Sequence, residues 1–307
     1  MAVAPNGSLY VVDAGRDQIL RRTSHGQFQV VAGDGQLGFS GDGGPATKAR
    51  IRLQDSSGIA LTGNGTVFFA DTGNNSVREV TPNGTIETVA GGGILPIGLV
   101  SEPGNQVALS GVTGLAIGPG GDLYLAAGAV YRLDDEGQLH WVVGQNTAPP
   151  PGWQGVYANP AVQSDFFGAT RLAFNNSGDL LVAGGGGWGL YEQTNTGAQR
   201  FIENFRGDGF WGSLAPAPDG SVVLASDSGL ARFEPSGSIQ SIPAQSLSAA
   251  LGADQTKSRN LFIEGDGVAV APDGTMYVDT NTGNTFTSVT AILAVSPNGK
   301  VRTVWSS

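Results

Sequence analysis

Near the start of the chain stands the stretch Pro5-Asn6-Gly7-Ser8-Leu9-Tyr10-Val11-Val12, in which a turn signal precedes a short apolar run. The same order returns as Thr62-Gly63-Asn64-Gly65-Thr66-Val67-Phe68-Phe69 and as Pro119-Gly120-Gly121-Asp122-Leu123-Tyr124-Leu125-Ala126, and three further copies follow. Such a recurrence indicates a repeat architecture, because each copy is one unit that must pack against its neighbours. The six turn glycines are Gly7, Gly65, Gly121, Gly178, Gly220 and Gly274.

The second copy shows most clearly what one unit contains. Apolar runs at 59–61, 67–70, 77–80 and 86–89 are separated by two Asn-Gly turns and one polar loop. Asn-Gly favours tight hairpins, because both residues tolerate positive φ. Each unit is expected to form a four-stranded antiparallel sheet with two apolar faces. A radial arrangement of these sheets buries both faces. The sequence therefore predicts an all-β fold, a six-bladed β-propeller of four-stranded antiparallel blades.

We expect one domain over residues 1–307, since propellers of this length form a single domain. Each blade is complete from its first strand to its fourth, so no strand-exchange velcro is required, and the ring must close by packing of the sixth blade on the first. The approximate blades are 1–33, 58–91, 114–144, 171–202, 213–242 and 267–305.

Two segments carry a family resemblance. Residues 69–80, Phe-Ala-Asp-Thr-Gly-Asn-Asn-Ser-Val-Arg-Glu-Val, resemble an NHL repeat. Residues 38–47, Gly-Phe-Ser-Gly-Asp-Gly-Gly-Pro-Ala-Thr, resemble the segment between repeats in bacterial NHL proteins. The resemblance implies a six-bladed propeller from a bacterium. It also suggests a sensor region, because propellers similar to this one form the external part of receptor-type kinases.

Composition excludes several classes of function. The net charge of −10 argues against nucleic acid as a partner, which needs a basic surface. The absence of cysteine removes disulfides and thiolate chemistry. No apolar run is long enough for membrane insertion within this chain. There is no signal peptide in this chain, and it begins inside a strand, so we expect a fragment of a longer protein. The family resemblance implies that this fragment is an extracytoplasmic or secreted region.

The strand order predicts which face carries function. The loop after the second strand and the connection into the next blade share one face, and both tight turns lie on the other. Long loops carry function more often than tight turns do. The aromatic residues on the long-loop face are expected to bind a ligand or partner, or alternatively to pack the loops onto the rim. They are Trp153, Tyr157, Phe166, Trp188, Phe210 and Trp211.

Carboxylates are the other candidate binding groups on this face. Asp13 and Asp71 close the second strand of the first two blades, where they either contact a ligand or hold the loop by bonding backbone amides. Only two histidines exist, His25 on the tight-turn face and His140 in an outermost strand, which disfavours a histidine-based catalytic or metal site.

These observations lead to one functional hypothesis and two alternatives. The first is a non-enzymatic binding module that presents its long-loop face to a protein, a peptide or a glycan, with no cofactor. The second is a propeller hydrolase or lyase with a carboxylate-bound divalent cation, Ca²⁺ above all, in the central channel. The third is scaffolding through the outer edge of a blade. An apolar axis disfavours the second, and the first strands place small or apolar residues there: Val3, Ala60, Ala116, Ala173, Ala215 and Ala269.

Overall fold

The computed structural model describes residues 1–96, 101–144, 169–184, 189–195, 199–204, 213–226, 229–234, 238–243, 267–280 and 291–306. Its strands form six antiparallel sheets, each with four consecutive strands. The strands of the first three sheets are β1 (Ala2–Val3), β2 (Leu9–Asp13), β3 (Gln18–Arg22), β4 (Phe28–Ala32), β5 (Ile59–Leu61), β6 (Val67–Asp71), β7 (Ser76–Val80), β8 (Ile86–Gly91), β9 (Glu102–Pro103), β10 (Gly114–Ile117), β11 (Leu123–Ala127), β12 (Ala129–Leu133) and β13 (Gln138–Val143). Those of the last three are β14 (Ala169–Phe174), β15 (Leu180–Gly184), β16 (Gly189–Gln193), β17 (Gln199–Asn204), β18 (Leu214–Pro216), β19 (Val222–Ser226), β20 (Gly229–Phe233), β21 (Ile239–Pro243), β22 (Val268–Val270), β23 (Met276–Thr280), β24 (Ala291–Val295) and β25 (Val301–Ser306).

The six sheets are the blades of a closed ring. The first strand of each blade contacts the first strand of the next, and β1 of the first blade contacts both β5 and β22. Every blade keeps its four strands in chain order without exchange across the ring. The six predicted turn glycines have φ between +81° and +95°, as their hairpin turns require. The prediction of a six-bladed propeller without velcro is confirmed.

One cluster of buried apolar side chains fills each interface between neighbouring blades. Five of these clusters contain at least eight buried residues each. The cluster between the sixth and first blades contains three among the described residues, Leu9, Val11 and Ile292. At its edge Phe28 and Trp305 meet edge to face, with ring centroids 6.4 Å apart. We call this interface the seam, because it is where the two ends of the ring meet.

The connections that lead into the second and third blades pair with the outer strands of those blades. In the first connection, the Gly43 amide donates to the Ile86 carbonyl and the Ile86 amide to the Gly44 carbonyl. In the second, β9 pairs with β13 and forms a fifth strand of the third blade. A short 3-10 helix follows the paired segment in both connections, at Ala46–Lys48 and Gly104–Gln106. Each connection therefore covers an outer sheet edge, which limits edge-to-edge association.

The register corrects one expectation about the axis. Ala2 pairs with Tyr10 as Ala60 pairs with Phe68, so Ala2 and not Val3 is the counterpart of the alanines in the other first strands. Side chains alternate between the two faces of a strand, so an error of one residue moves the side chain to the opposite face. Val3 accordingly packs in the seam cluster. The other predicted members, Ala60, Ala116, Ala173, Ala215 and Ala269, are all buried.

Candidate functional site

The predicted aromatic site lies outside the described residues. This holds for all six of its members: Trp153, Tyr157, Phe166, Trp188, Phe210 and Trp211. Their binding role stays a prediction. The two predicted carboxylates, Asp13 and Asp71, are described, and they differ sharply in their surroundings.

Asp13 lies half-buried at the end of β2. Its carboxylate pairs with Arg16 at 3.0 Å, and 18% of the Asp13 side chain is exposed against 69% of the Arg16 side chain. Its backbone carbonyl accepts a hydrogen bond from the Arg16 amide, which closes the loop after β2. Asp13 therefore holds this loop, and its partner is an exposed arginine.

Asp71 is fully buried in the second blade. Its Oδ1 accepts hydrogen bonds from the Arg52 amide at 2.7 Å and from Asn74 Nδ2 at 2.8 Å. Its Oδ2 faces Arg78 Nη1 at 3.4 Å. Burial raises the pKa of the Asp71 carboxyl, while Asn74, the Arg52 amide and Arg78 act in the opposite direction. Asp71 thus ties the incoming connection to the blade, and its role in binding a ligand stays a prediction.

Arg78 is the fully buried partner of this carboxylate, and sequence analysis did not single it out. Its Nη2 donates to Asp42 at 2.6 Å and to the Ser40 carbonyl at 3.2 Å. The ring of Phe39 covers the guanidinium, with its centroid 5.0 Å from Cζ. Three residues of the first connection therefore enclose one cation of the second blade. The paired register places apolar or aromatic residues at this position in other blades, among them Leu20, Tyr131 and Leu293.

Further hydrogen bonds join neighbouring blades on the long-loop face. Asp17 Oδ1 accepts from the Leu53 amide at 2.8 Å, which fixes the end of the first connection. Ser57 donates to Thr72 at 2.8 Å, and Thr72 donates to the Val112 carbonyl at 2.7 Å. Because these groups are buried, their mutual bonds replace those lost to water. These bonds tie together the first three blades and their connections on the long-loop face.

A small cavity opens at the mouth of the channel on this face, where the first strands begin. It has a volume of about 50 Å³, and its lining includes Ser57, Gly58, Thr113, Gly114, Arg171 and Ser213. The blades approach so closely that a Cβ at Gly58 would lie 2.5 Å from the Thr113 carbonyl oxygen. A Cβ at Gly114 would lie 2.7 Å from the Thr170 carbonyl oxygen. Glycine is therefore required at these two positions of the mouth.

Arg171 breaks the pattern of small residues around the mouth. It pairs with Ala183 as Gly114 pairs with Ala126, so the two residues occupy equivalent positions. Ser213 and Gly267 occupy the same position in the last two blades. The carbonyl of each residue accepts a hydrogen bond from a backbone amide of the second strand of its blade. The half-buried Arg171 thus places a guanidinium where the other described blades have glycine or serine. Its Nη1 donates to the Thr170 carbonyl at 3.0 Å.

Acidic side chains do not converge on this mouth in the described part of the chain. Residues 1–96, 101–144 and the later described ranges contain no group of three or more His, Cys, Asp or Glu side chains placed to hold a metal ion. Asp279 is a single buried carboxylate of the last blade, and its Oδ2 occupies the space that a Cβ at Gly267 would fill. The histidines lie elsewhere, His140 in outer strand β13 with Nε2 at 2.6 Å from Asp134 Oδ2.

This architecture is that of an NHL-repeat β-propeller. Solved structures share the fold: a catalytically inactive virginiamycin B lyase from Staphylococcus aureus, solved with quinupristin, superposes with a TM-score of 0.56 at 12% identity, over 98% of this chain and 82% of the other. A gluconolactonase from Xanthomonas campestris superposes with a TM-score of 0.55 at 13% identity, over 96% and 82%. At such identities the likeness shows the fold alone.

The sequence comparison is more specific. A family model, the Teneurin NHL domain, matches residues 1–186, which is more than half of the chain. The chain therefore belongs to the Teneurin NHL domain family. Teneurin-3 from Danio rerio is 32% identical over a 198-residue alignment that covers 58% of this chain. The match spans 7% of the length of that relative.

None of the helices in the described residues has the length and apolar character that a membrane span requires.

Proposed function

We propose that this propeller is a non-enzymatic module that binds a ligand or a protein on its long-loop face. The observation that carries the proposal is the mouth of the channel on that face, where buried hydrogen bonds between neighbouring blades border a small cavity with a single guanidinium in its described lining. A rigid scaffold that presents loops and a preformed concavity is the usual form of a binding site.

We assign the module to an extracytoplasmic or secreted region, with a protein, a peptide or a glycan as its partner. The relation to a teneurin is consistent with this placement. The propeller fold commonly serves protein interaction, which also supports the proposal. The role of the six aromatic residues on the long-loop face remains part of the proposal, as does a sensor function within a longer bacterial protein.

A matched pair of variants tests which face binds. Ser56→Trp places a large ring at the mouth of the channel, and Ser24→Trp places the same ring on the opposite face, in the exposed turn between β3 and β4. Labelled wild type and both variants are applied to defined peptide and glycan arrays. We expect binding to be lost in Ser56→Trp and kept in Ser24→Trp. Equal binding by both variants would rule out the long-loop face.

The competing hypothesis is a hydrolase or lyase with a carboxylate-bound divalent cation. A ligand that binds only the native state raises the unfolding midpoint by mass action. Titration with Ca²⁺, compared with EDTA, separates the two hypotheses: a saturable rise of the midpoint would favour the enzyme, and a constant midpoint favours the binding module.

A further inference from the structure

We infer that the seam is a docking groove for an extended peptide segment of a partner protein, which adds a strand to the open edge of β4 and places an acidic residue beside Arg22. This surface lies on the outer side of the ring, away from the channel mouth. The inference therefore goes beyond the proposed function and does not depend on it.

The first argument is that the chain itself covers the equivalent edges of the second and third blades. The Ala46 amide donates to the Gly84 carbonyl at 2.8 Å, and the Gly104 amide donates to the Gly137 carbonyl at 2.9 Å. Both acceptors are turn glycines before an outer strand. Gly26 is the corresponding glycine of the first blade, with φ of +83° against +85° and +74°. The edge of the first blade thus has the backbone geometry of two edges that accept an extra segment.

The edge of β4 is open to such a segment. Among the described strands, β4 is the last of its sheet and pairs with β3 alone. In the second blade, the amide and the carbonyl of Ile86 point outward and bond to the incoming connection. Phe28 occupies this position in the first blade, because it pairs with Arg22 as Ile86 pairs with Val80. The outward amide and carbonyl of Phe28 are therefore a template for an added strand.

The second argument is that the two connections also fill the interfaces that they enter. Their buried apolar side chains belong to the clusters between the first three blades: Ala46, Ala49, Ile51 and Leu53 in the first connection, and Val107, Leu109 and Val112 in the second. Six blades in chain order have five connections between them, and within residues 1–307 none leads from the sixth blade to the first. The seam is therefore the interface that receives no connection.

The side chains that this leaves uncovered on the first blade are apolar. The register places Leu20 and Val30 on the same face as Val11, a member of the seam cluster. Leu20 is half-buried, whereas Arg78 and Tyr131, at its position in the second and third blades, are fully buried. Val30 is 39% exposed. An apolar groove therefore follows the outer part of the seam, and it suits the apolar side chains that a connection carries.

The third argument is charge, which specifies one residue of the partner. In the third blade, Leu133, Leu139 and Glu102 stand in one row across three strands. The same row in the first blade begins with Arg22 and Phe28, so the incoming residue is its third member. The Nε of Arg22 is buried and has no hydrogen-bond partner in the described part of the chain. An acidic residue in the third place brings a carboxylate toward this guanidinium, and such pairs form strong hydrogen bonds.

The probe is a labelled, capped peptide with the sequence of residues 102–112, which has glutamate in the required row and the apolar side chains of a connection. Fluorescence anisotropy measures its binding to the full chain. We expect saturable binding to wild type and at least roughly tenfold weaker binding to Val30→Lys, because a charge then enters the apolar groove. Ile239→Lys is the matched control and should bind as wild type does, since Ile239 is 45% exposed on an outer strand of the fifth blade.

Amide hydrogen exchange locates the added strand without any variant. We expect the peptide to slow the exchange of the Phe28 amide, because that amide becomes a donor to the peptide. Ser56→Trp, which obstructs the channel mouth, should bind the peptide as wild type does. The failure of the long-loop face as a binding surface would therefore leave this result unchanged.

A second peptide, with Glu102→Gln, tests the recognition of charge. Wild type should bind it roughly threefold more weakly, whereas Arg22→Gln should bind both peptides equally. Arg21→Gln is the control and should keep the difference, because Arg21 is exposed and its side chain lies on the opposite face of β3.

Four results would overturn the inference. The first is an absence of saturable binding up to about 1 mM peptide, the limit of a weak specific complex. The second is equal binding of the peptide to wild type and Val30→Lys, or binding without protection of the Phe28 amide. The third is equal binding of both peptides by wild type. The fourth is protection of Phe28 when the protein alone is concentrated, which would make a second copy of this chain the occupant in place of a partner protein.

Discussion

Asp13 and Asp71 close the second strand of consecutive blades, and they differ because of the residue across the neighbouring strand. Asp71 faces the buried Arg78, whereas the first blade has Leu20 at that position. A buried carboxylate without a nearby cation is costly, and the half-buried Asp13 has the exposed Arg16 as its cation. The family motif at this position therefore does not predict one role for its aspartate.

We expect Arg78→Leu to lower the free energy of unfolding by about 3 kcal/mol or more, because it leaves a buried carboxylate without its cation. Leucine occupies the paired position in the first and last blades, so the loss does not come from steric mismatch. Urea denaturation at pH 7 measures the change.

Arg16→Leu is the matched control for that variant, since it removes the surface partner of Asp13. We expect a change below about 0.5 kcal/mol, as exposed pairs contribute little. The double variant Asp71→Asn with Arg78→Leu should lose less stability than the two single changes added together. Strict additivity would mean that the two residues do not interact.

Asp134 gives a pH-dependent prediction. The hydrogen bond with His140 lowers the pKa of the Asp134 carboxyl below its ordinary value of 3.8. A carboxyl whose pKa is lowered in the folded state stabilises that state when the pH is above the ordinary pKa. This contribution is lost as the pH falls through the folded-state pKa. Asp134→Asn keeps an Oδ1 acceptor for the Glu136 and Gln138 amides and removes the charge beside His140.

We therefore expect wild type to be more stable than Asp134→Asn above about pH 4, with a difference that shrinks toward zero as the pH is lowered further. Urea midpoints of both proteins from pH 2.5 to pH 6 measure this difference. A difference that stayed constant across the range would exclude the charge of Asp134 as its cause.

Two arginines have environments that the sequence alone does not predict. Arg78 reads as an ordinary polar position of a strand, and its burial depends on Phe39 and Asp42, which lie far away in the sequence. Arg171 had a signal in the sequence, since Gly58 and Gly114 precede the corresponding apolar runs of the second and third blades. Comparing that position across blades identifies the exception, but only the structure places it at the mouth of the channel.

The connections into the second and third blades are part of the sheets. The sequence predicts long loops on the functional face but does not indicate that these loops pair with the outer strands. The paired segments contain Gly44-Pro45 and Glu102-Pro103, which have no period-two apolar pattern and do not read as strands. Backbone hydrogen bonds to an exposed edge need no particular side chains, so the pairing has little sequence signal.

Two glycines with positive φ test the importance of the first connection. Gly41 has φ of +106°, and a Cβ there would lie 2.7 Å from the Ala49 Cβ. Gly65 has φ of +94° in a tight turn, with no atom within 4 Å of the added Cβ. We expect Gly65→Ala to cost about 1–2 kcal/mol of stability from backbone strain alone, and Gly41→Ala to cost more.

Amide hydrogen exchange of Ile86 distinguishes backbone strain from a disturbed connection, since the Ile86 amide donates to the Gly44 carbonyl at 3.0 Å. We expect faster exchange of this amide in Gly41→Ala and an unchanged rate in Gly65→Ala, relative to global unfolding. Unchanged protection in both variants would show that the connection does not depend on Gly41.

In the described part of the chain, the seam has the fewest buried apolar side chains of the six interfaces between blades. We expect Trp305→Ala to destabilise the protein by roughly 3 kcal/mol, because it removes a large side chain from the Phe28 contact and from the seam cluster. Hydrogen exchange should accelerate in the inner strands of both the first and sixth blades.

Trp141→Ala is the control for that variant, because Trp141 packs against the cluster between the second and third blades. We expect its effect on exchange to centre on those blades. If Trp305→Ala also accelerated exchange there and spared the first and sixth blades, the seam would not be the weak point of the ring.

The ring itself was the most predictable property. Six recurring turn signals define six units, and a unit with two apolar faces has few alternatives to radial packing. The relative strength of the interfaces was not predictable, because it depends on which side chains of two distant units meet. Phe28 and Trp305, the pair at the seam, are separated by almost the entire sequence.

The uninterrupted strand order within each blade has a consequence for how such chains diversify. Because no sheet borrows a strand across the ring, every sheet corresponds to one continuous stretch of coding sequence. A duplication or deletion with both endpoints between blades would add or remove an intact sheet, without leaving any other sheet incomplete. Rings of different blade number are therefore separated by a single genetic event, followed by adjustment of the interfaces to a new angle between blades.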